Sequence, residues 1–409
     1  MKRVLITLMF LLLCGPVLAG YCQEDRAIAP LVFNAVSVDN SDPAFYRIRF
    51  SLEAIPGNNP VNPVQQKAAV SKAVEFFFLG LSLPEERLWV NLNPDEPEKV
   101  IALDLKDTDL GKVIMAADLQ LKKDVAAATN PQISPAGREY WDKLYSKAEE
   151  LGIEDKIAVS NRVWIIPDLA WVHETPGAVE LVESPLKVLQ ESEYLPSDAR
   201  GVDPKQRELS GYADRLFGEL ILPVLTRKVN EESPYARLRG VYRALLLAHW
   251  YKKSVSGRGD RLMQNSAATA LQDAASDLSV FPEQIYKEYM KSFRKGEYNF
   301  SENTKNKLDF YLNVISRAYF SGGVNLDHME TREAGGNADR QSSGKEIVSV
   351  EFNIPRDCPR PLEYVKKRLF AGSFGSTEPN NKELVNNLPG VVPGKPYFPA
   401  QEKAFIGSL

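Results

Sequence analysis

Residues 238–249 place the tightest constraint on the fold. Leu238, Val241, Tyr242, Leu245 and His249 recur at helical spacing, and Leu246 and Leu247 widen that stripe to more than one face. A helix that is apolar on several faces has to be covered on each of them, so this segment belongs at the centre of a layered domain. Just upstream, Tyr212, Leu216, Phe217, Leu220, Ile221, Val224 and Leu225 form a second stripe, which Pro223 should kink. Ser233-Pro234 starts the central helix, and the short connection makes the two helices an antiparallel pair.

The flanking segments alternate between strand and helix patterns. Leu31-Val32-Phe33 opens one strand, and Phe45 to Phe50 alternates as a second. Asn62-Pro63 starts a helix whose stripe is Val70, Ala73, Val74, Phe77, Phe78 and Leu81, and Pro84 ends it. Leu88 to Leu92 reads as a short strand. Asp107 or Thr108 caps a helix with the stripe Leu110, Val113, Ile114, Ala117, Leu121 and Val125, and Ser134-Pro135 opens the next.

After Gly152, two strand runs (Val163 to Ile166, Ala170 to His173), a turn at Glu174-Thr175-Pro176-Gly177 and two returning runs predict one long hairpin. Pro167 and Pro185 should mark edges or bulges in it. Residues 255–280 read as a surface loop, Pro282 starts another helix that ends at Gly296, and 321–345 reads as mobile. Ile347 to Phe352 is a last strand.

The chain is therefore expected to be α+β, with mixed strands and helices around a central antiparallel helix pair and two subdomains. Its expected divisions are a signal segment over 1–19, an N-terminal α+β region over 20–152 and a β-hairpin plus helical region over 153–300. A C-terminal extension with one strand over 301–375 and a poorly ordered tail over 376–409 complete it.

The N-terminus carries an address. Lys2 and Arg3 precede an apolar run from Val4 to Cys14, followed by small residues ending in Ala19-Gly20. That is the pattern of a secretory signal cleaved between Ala19 and Gly20, too short to span a bilayer, which takes about 20 residues. Export, to periplasm or medium, is the expected localisation. No later apolar run approaches membrane length. With 50 basic against 54 acidic residues and no basic stripe, nucleic acid is a poor partner. Cys22 and Cys358 either form one disulfide or remain two separate thiols.

Catalytic motifs are absent from the sequence. There is no Gly-x-Ser-x-Gly elbow, no phosphate-binding glycine loop, and none of the three histidines has zinc-ligand spacing, so no cofactor and no metal are expected. Asp104, Asp107, Asp109 and Asp118 form an acidic run that mimics the ends of a calcium loop, but Lys112 stands where that loop needs glycine. Acids at a helix N-terminus and an Asp118–Lys122 pair one turn apart explain the run better. Asp107 and Asp109 are the acids to test first for hydrolysis. Trp164 and Trp171 are the candidates for a ligand-stacking surface, although aromatics in strands are more often core. Arg258-Gly259-Asp260 carries no weight as an adhesion tripeptide.

Several stretches resemble an uncharacterised family of exported bacterial proteins. They are Phe76 to Leu81, Leu88 to Pro94, Asp107 to Lys112 with Ala117 to Lys123, Ser134 to Trp141, Trp250-Tyr251-Lys252 and Tyr319 to Gly323. The resemblance spans roughly 60–325 and implies an envelope or secreted protein, with no activity attached. The expected function is thus a non-catalytic binding or assembly protein of the cell envelope, its partner an envelope protein or a small ligand. The alternative is an envelope hydrolase using carboxylates.

Overall fold

The computed structural model describes residues 31–54, 63–94, 96–153, 162–194, 203–257, 259–266, 281–297, 322–335, 347–371 and 391–393. The expected signal segment with its expected cleavage site at Ala19-Gly20, and Cys22, lie outside the described residues. The strands are β1 (Leu31–Asp39), β2 (Phe45–Ala54), β3 (Trp89–Val90), β4 (Val163–Pro167), β5 (Ala170–Thr175), β6 (Ala178–Glu183), β7 (Leu186–Gln190), β8 (Val324–Asn325), β9 (Thr331–Glu333), β10 (Ile347–Pro355) and β11 (Val391–Pro393). The helices are α1 (Pro63–Ser82), α2 (Asp109–Thr129), α3 (Pro135–Glu150), α4 (Glu191–Tyr194), α5 (Pro204–Leu220), α6 (Leu222–Glu231), α7 (Ala236–Trp250), α8 (Phe281–Arg294) and α9 (Pro361–Ala371).

The fold is α+β with two sheets. The first, sheet A, has seven strands in the order β11-β10-β2-β1-β6-β5-β9, and the second, sheet B, has four in the order β3-β8-β4-β7. Local chemistry explains the elements. Thr108 caps α2 by accepting from the Gly111 N–H at 3.0 Å, and Ser134 caps α3 by accepting from Gly137 at 3.1 Å with Pro135 in the first turn. Strands β1 and β2 turn alternate side chains into the core, among them Phe33, Ile48, Phe50 and Leu52.

Sheet A is covered on one face by α1 and α7. Phe33, Phe50 and Phe77 stack there with ring centroids 5.0–6.5 Å apart, and Tyr251 closes on Phe77 at 6.2 Å. The near-perpendicular pairs among them favour ring-edge contacts. α7 is the buried centre that its all-round apolar pattern predicts. Leu245, Leu246 and Leu247 are all within 1 % of complete burial, each worth roughly 1.5–3 kcal/mol of removed apolar surface. Its chief helical neighbour is α1, with β1 and α2 on other sides. The upstream stripe breaks at Ile221-Leu222, next to Pro223, and its two halves go elsewhere: α5 packs on α3, and α6 on β7. α6 also contacts α7, where Arg239 donates to the Val229 carbonyl at 2.7 Å.

The long hairpin exists but is divided between the sheets. β5 and β6 pair in sheet A, whereas β4 and β7 pair in sheet B. The crossing points sit beside Pro167 and Pro185, where the Asp168 N–H donates to the Pro185 carbonyl at 3.1 Å. Each proline lacks the N–H that would continue a ladder, so the ribbon bends there and changes sheets.

The region expected to be mobile is partly built into both sheets. β8 lies between β3 and β4, and β9 forms the far edge of sheet A beside β5. Among the described residues of 301–375 there are thus three strands and a helix where one strand was expected, and in the tail β11 pairs with β10. Residues 261–266, expected in a loop, form a helical turn that buries Leu262. Strands of two or three residues carry no readable periodicity, which is why these pairings escape the sequence. One apolar core of described residues runs through both sheets. No helix among the described residues is long and apolar enough to cross a membrane.

Candidate functional site

The densest convergence of polar side chains lies at one end of sheet B, where β4 begins and β7 runs into the single turn of α4. Its base is an ion pair on α2. Asp118 and Lys122 stand one turn apart with Nζ 2.8 Å from Oδ1 and 3.0 Å from Oδ2, and their side chains are 0 % and 2 % exposed. The Leu92 N–H donates to Asp118 Oδ2 at 2.8 Å. Lys122 donates to the Gly322 carbonyl at 2.6 Å and lies 5.8 Å from the Tyr289 ring centroid. Burial pushes the Asp118 carboxyl up and the Lys122 ammonium down, and the attraction between the two opposes both shifts.

Glycine brings that carbonyl into place. A Cβ on Gly322 would overlap the Val163 backbone, and one on Gly323 would overlap the Val90 carbonyl oxygen. Only a bare backbone fits between β3 and β4 here. The Gly323 carbonyl then accepts from the Ile165 N–H at 2.8 Å.

Toward the surface the cluster opens through Arg162 and Glu191, whose Nη1 and Oε1 are 3.4 Å apart and whose side chains are 40 % and 23 % exposed. Trp164 is buried against Tyr194, with ring centroids 5.3 Å apart. Asn325 Nδ2 donates to the Tyr194 hydroxyl at 2.5 Å and to Asp327 Oδ2 at 2.9 Å. Burial and the Asp327 charge push the Tyr194 hydroxyl up. Nearby, Gln190 donates to the Asp214 backbone carbonyl at 2.8 Å, and burial followed by the Glu193 charge pushes the Asp214 carboxyl up. Four polar atoms around this end are buried without a hydrogen-bond partner among the described residues: Asn91 Oδ1, Arg162 Nε, Trp164 Nε1 and Glu191 Oε2. Each such atom costs about 1–3 kcal/mol while it stays unpaired.

The acids of the sequence motif lie elsewhere. Asp109, at the start of α2, is ion-paired with Lys72 of α1 and with Lys112, the latter at 2.9 Å. Asp104 pairs with Arg87 at 2.6 Å. Asp107 precedes the Thr108 cap and has one buried oxygen without a partner among the described residues. Burial raises the Asp109 carboxyl, but Lys72 and Lys112 outweigh it and hold the carboxyl below its ordinary range. The sign follows from linkage: this stabilisation is complete above the unfolded carboxylate pKa and is lost as pH falls through the lower folded value. Asp109→Asn is expected to destabilise the protein by about 1 kcal/mol near neutral pH. The gap from wild type should close toward about pH 3 in thermal melts, and a gap that persists there would assign Asp109 a role of shape, not charge.

Trp164 and Trp171 stand in different sheets. Trp171, in β5, lies under the Arg332 guanidinium at 5.3 Å from its ring centroid. His249 is half-buried rather than enclosed, with Nδ1 2.6 Å from Glu85 Oε1. Asp260 of the adhesion-like tripeptide accepts from the Tyr251 hydroxyl at 2.8 Å. Cys358 is half-buried, with no disulfide partner among the described residues. Among the described residues, no group of three or more His, Cys, Asp or Glu side chains is arranged to hold a metal ion.

Sequence reasoning found the Asp118–Lys122 pair but assigned it no depth, and it passed over Arg162, Glu191 and Asn91 altogether. The one available signal was Asp118 itself, set directly beside Ala117 and Leu121 of the apolar stripe. Compared with known proteins, the chain matches no family model, and no curated protein or solved structure is significantly similar to it.

Proposed function

We propose that this chain is an exported, non-catalytic binding protein of the cell envelope, and that its ligand is a small polar molecule held at the Arg162–Glu191 end of sheet B. The unpaired buried atoms carry this reading. Two are donors (Trp164 Nε1, Arg162 Nε) and two are acceptors (Asn91 Oδ1, Glu191 Oε2), a set that a molecule with both hydroxyl or ammonium protons and oxygen acceptors would satisfy. The Lys122–Asp118 pair beneath them supplies a base held by four hydrogen bonds, the rigidity that a binding site needs. Export rests on the basic, apolar and small-residue order of the first 20 residues.

Differential scanning fluorimetry against a panel of monosaccharides and amino acids, followed by calorimetry, tests the assignment. At least one member is expected to raise Tm, and Trp164→Phe, which keeps an aromatic ring and removes the N–H, should weaken its binding about tenfold. A panel without a hit, or a Trp164→Phe variant that binds as tightly as wild type, sinks the site.

Carboxylate hydrolysis is the second reading, and Asp214 is the observation in its favour: a carboxyl pushed up by burial and by Glu193 is suited to general-acid work. Turnover of an envelope glycan by wild type that is lost in Asp214→Asn would replace the binding reading.

A further inference from the structure

Sheet A borders a groove of about 530 Å³ that belongs to no feature described so far. One wall is the end of β1 with Asn40, another is the β5–β6 turn with Glu174 and Thr175, and the third is the end of α7 with Trp250, Ser254 and Val255. We propose that this groove binds a small organic cation bearing a primary ammonium group, with Glu174 as its counter-charge.

The groove is preformed. The Val38 N–H donates to the Gly177 carbonyl at 2.7 Å, which pins the turn to β1. Gly177 holds a φ of 76°, and a Cβ there would stand 2.8 Å from the Val38 carbonyl oxygen, so the turn accepts no other residue without shifting. On the facing wall the chain leaves α7 through a π-helical turn, Tyr251–Val255, closed by the Ser256 N–H donating to the Tyr251 carbonyl at 2.9 Å. Such wide turns are rare and recur at functional sites. Tyr251 anchors the turn from inside, fully buried and bonded to Asp260.

The charge arrangement selects the ligand. Trp250 is 5 % exposed, and its indole N–H donates to Glu174 Oε1 at 3.0 Å. A buried donor thereby orients an exposed carboxylate at the groove edge. The Glu333 carboxylate accepts from the Glu174 N–H at 3.2 Å, which adds a second negative charge beside the first.

Among the described residues, no lysine, arginine or histidine lines the groove. Three cations on neighbouring elements are engaged elsewhere. Arg356 binds the backbone carbonyls of Asn40 and Asp42 and lies over the Tyr46 ring, Lys252 donates to the Leu83 carbonyl at 3.0 Å, and His173 faces Glu333. A volume of this size suits a small molecule rather than a peptide segment.

Calorimetry and tryptophan fluorescence on the full chain, with 1,4-diaminobutane as the probe and 1,4-butanediol as its neutral counterpart, test the assignment. The diamine is expected to bind saturably and the diol not at all. Glu174→Gln keeps an acceptor for the Trp250 N–H and should weaken the diamine at least tenfold. Glu139→Gln removes an exposed carboxylate on α3, 52 % exposed and distant in the fold, and should leave binding unchanged. The proposal is overturned if diamine and diol behave alike, if Glu174→Gln binds as tightly as wild type, or if both variants weaken binding equally. None of these outcomes bears on the Trp164 site.

Discussion

Lys122→Met is expected to lower the unfolding free energy by about 3–5 kcal/mol, a large share of the stability of any domain. The substitution leaves the Asp118 carboxylate fully buried with no counter-charge and takes the donor from the Gly322 carbonyl. Both losses fall in a region that excludes water, where an orphaned charge is far more costly than a missing contact. The pair itself need not be worth that much, since two charges were desolvated to form it.

The double variant separates the two quantities. Asp118→Asn with Lys122→Met removes both charges and still offers an oxygen to the Leu92 N–H. It is expected to recover more than half of the single-variant loss. Urea unfolding of wild type, both single variants and the double variant measures the cycle. A double variant as unstable as Lys122→Met would show that geometry, not uncompensated charge, is what the pair provides.

Gly322→Ala is the second large effect, expected at about 4 kcal/mol or more, in the range kept for backbone clashes and broken buried networks. The added methyl has no flexible side chain to displace, because it meets the Val163 main chain. Room for it requires β4 to part from the 322–325 segment, which breaks the Gly323–Ile165 hydrogen bond and withdraws the Gly322 carbonyl from Lys122. Gly240→Ala is the control. Its Cβ would lie 3.7 Å from Val32 Cγ1, an ordinary contact inside α7, so a gain of up to about 1 kcal/mol is expected from helix propensity. Equal effects at the two positions would refute the close packing of 322–323 against β4. Hydrogen exchange should show the Gly322→Ala loss concentrated in β4 and β8.

Much of the secondary structure was legible because its causes are local. Thr108 and Ser134 are readable as caps from residue type and position alone, and β2 from its alternation. Pro167 and Pro185 announced a break in the hairpin ladder, but not that the two halves would join different sheets. Pro223 announced a kink, but not that α5 would pack on α3 and α6 on β7. The proposed ligand site was nearly invisible. Asn91, Arg162, Glu191 and Gly322 are spread over more than two hundred residues of chain, and nothing in any one segment marks them as neighbours.

The sequence by itself determined the α+β class, the central place of the 236–250 helix and the export-type pattern of the first 20 residues. These follow from periodicity, capping and composition, which act over a few residues at a time. Only the tertiary structure decided that Asp118 and Lys122 are a buried pair and not a solvated one, that 322–325 threads between β3 and β4, and that Glu174 meets Trp250 at a groove. Burial and close approach are set by what lies across the fold from a residue, and a helical pair one turn apart looks the same in the sequence whether water or a glycine carbonyl stands opposite.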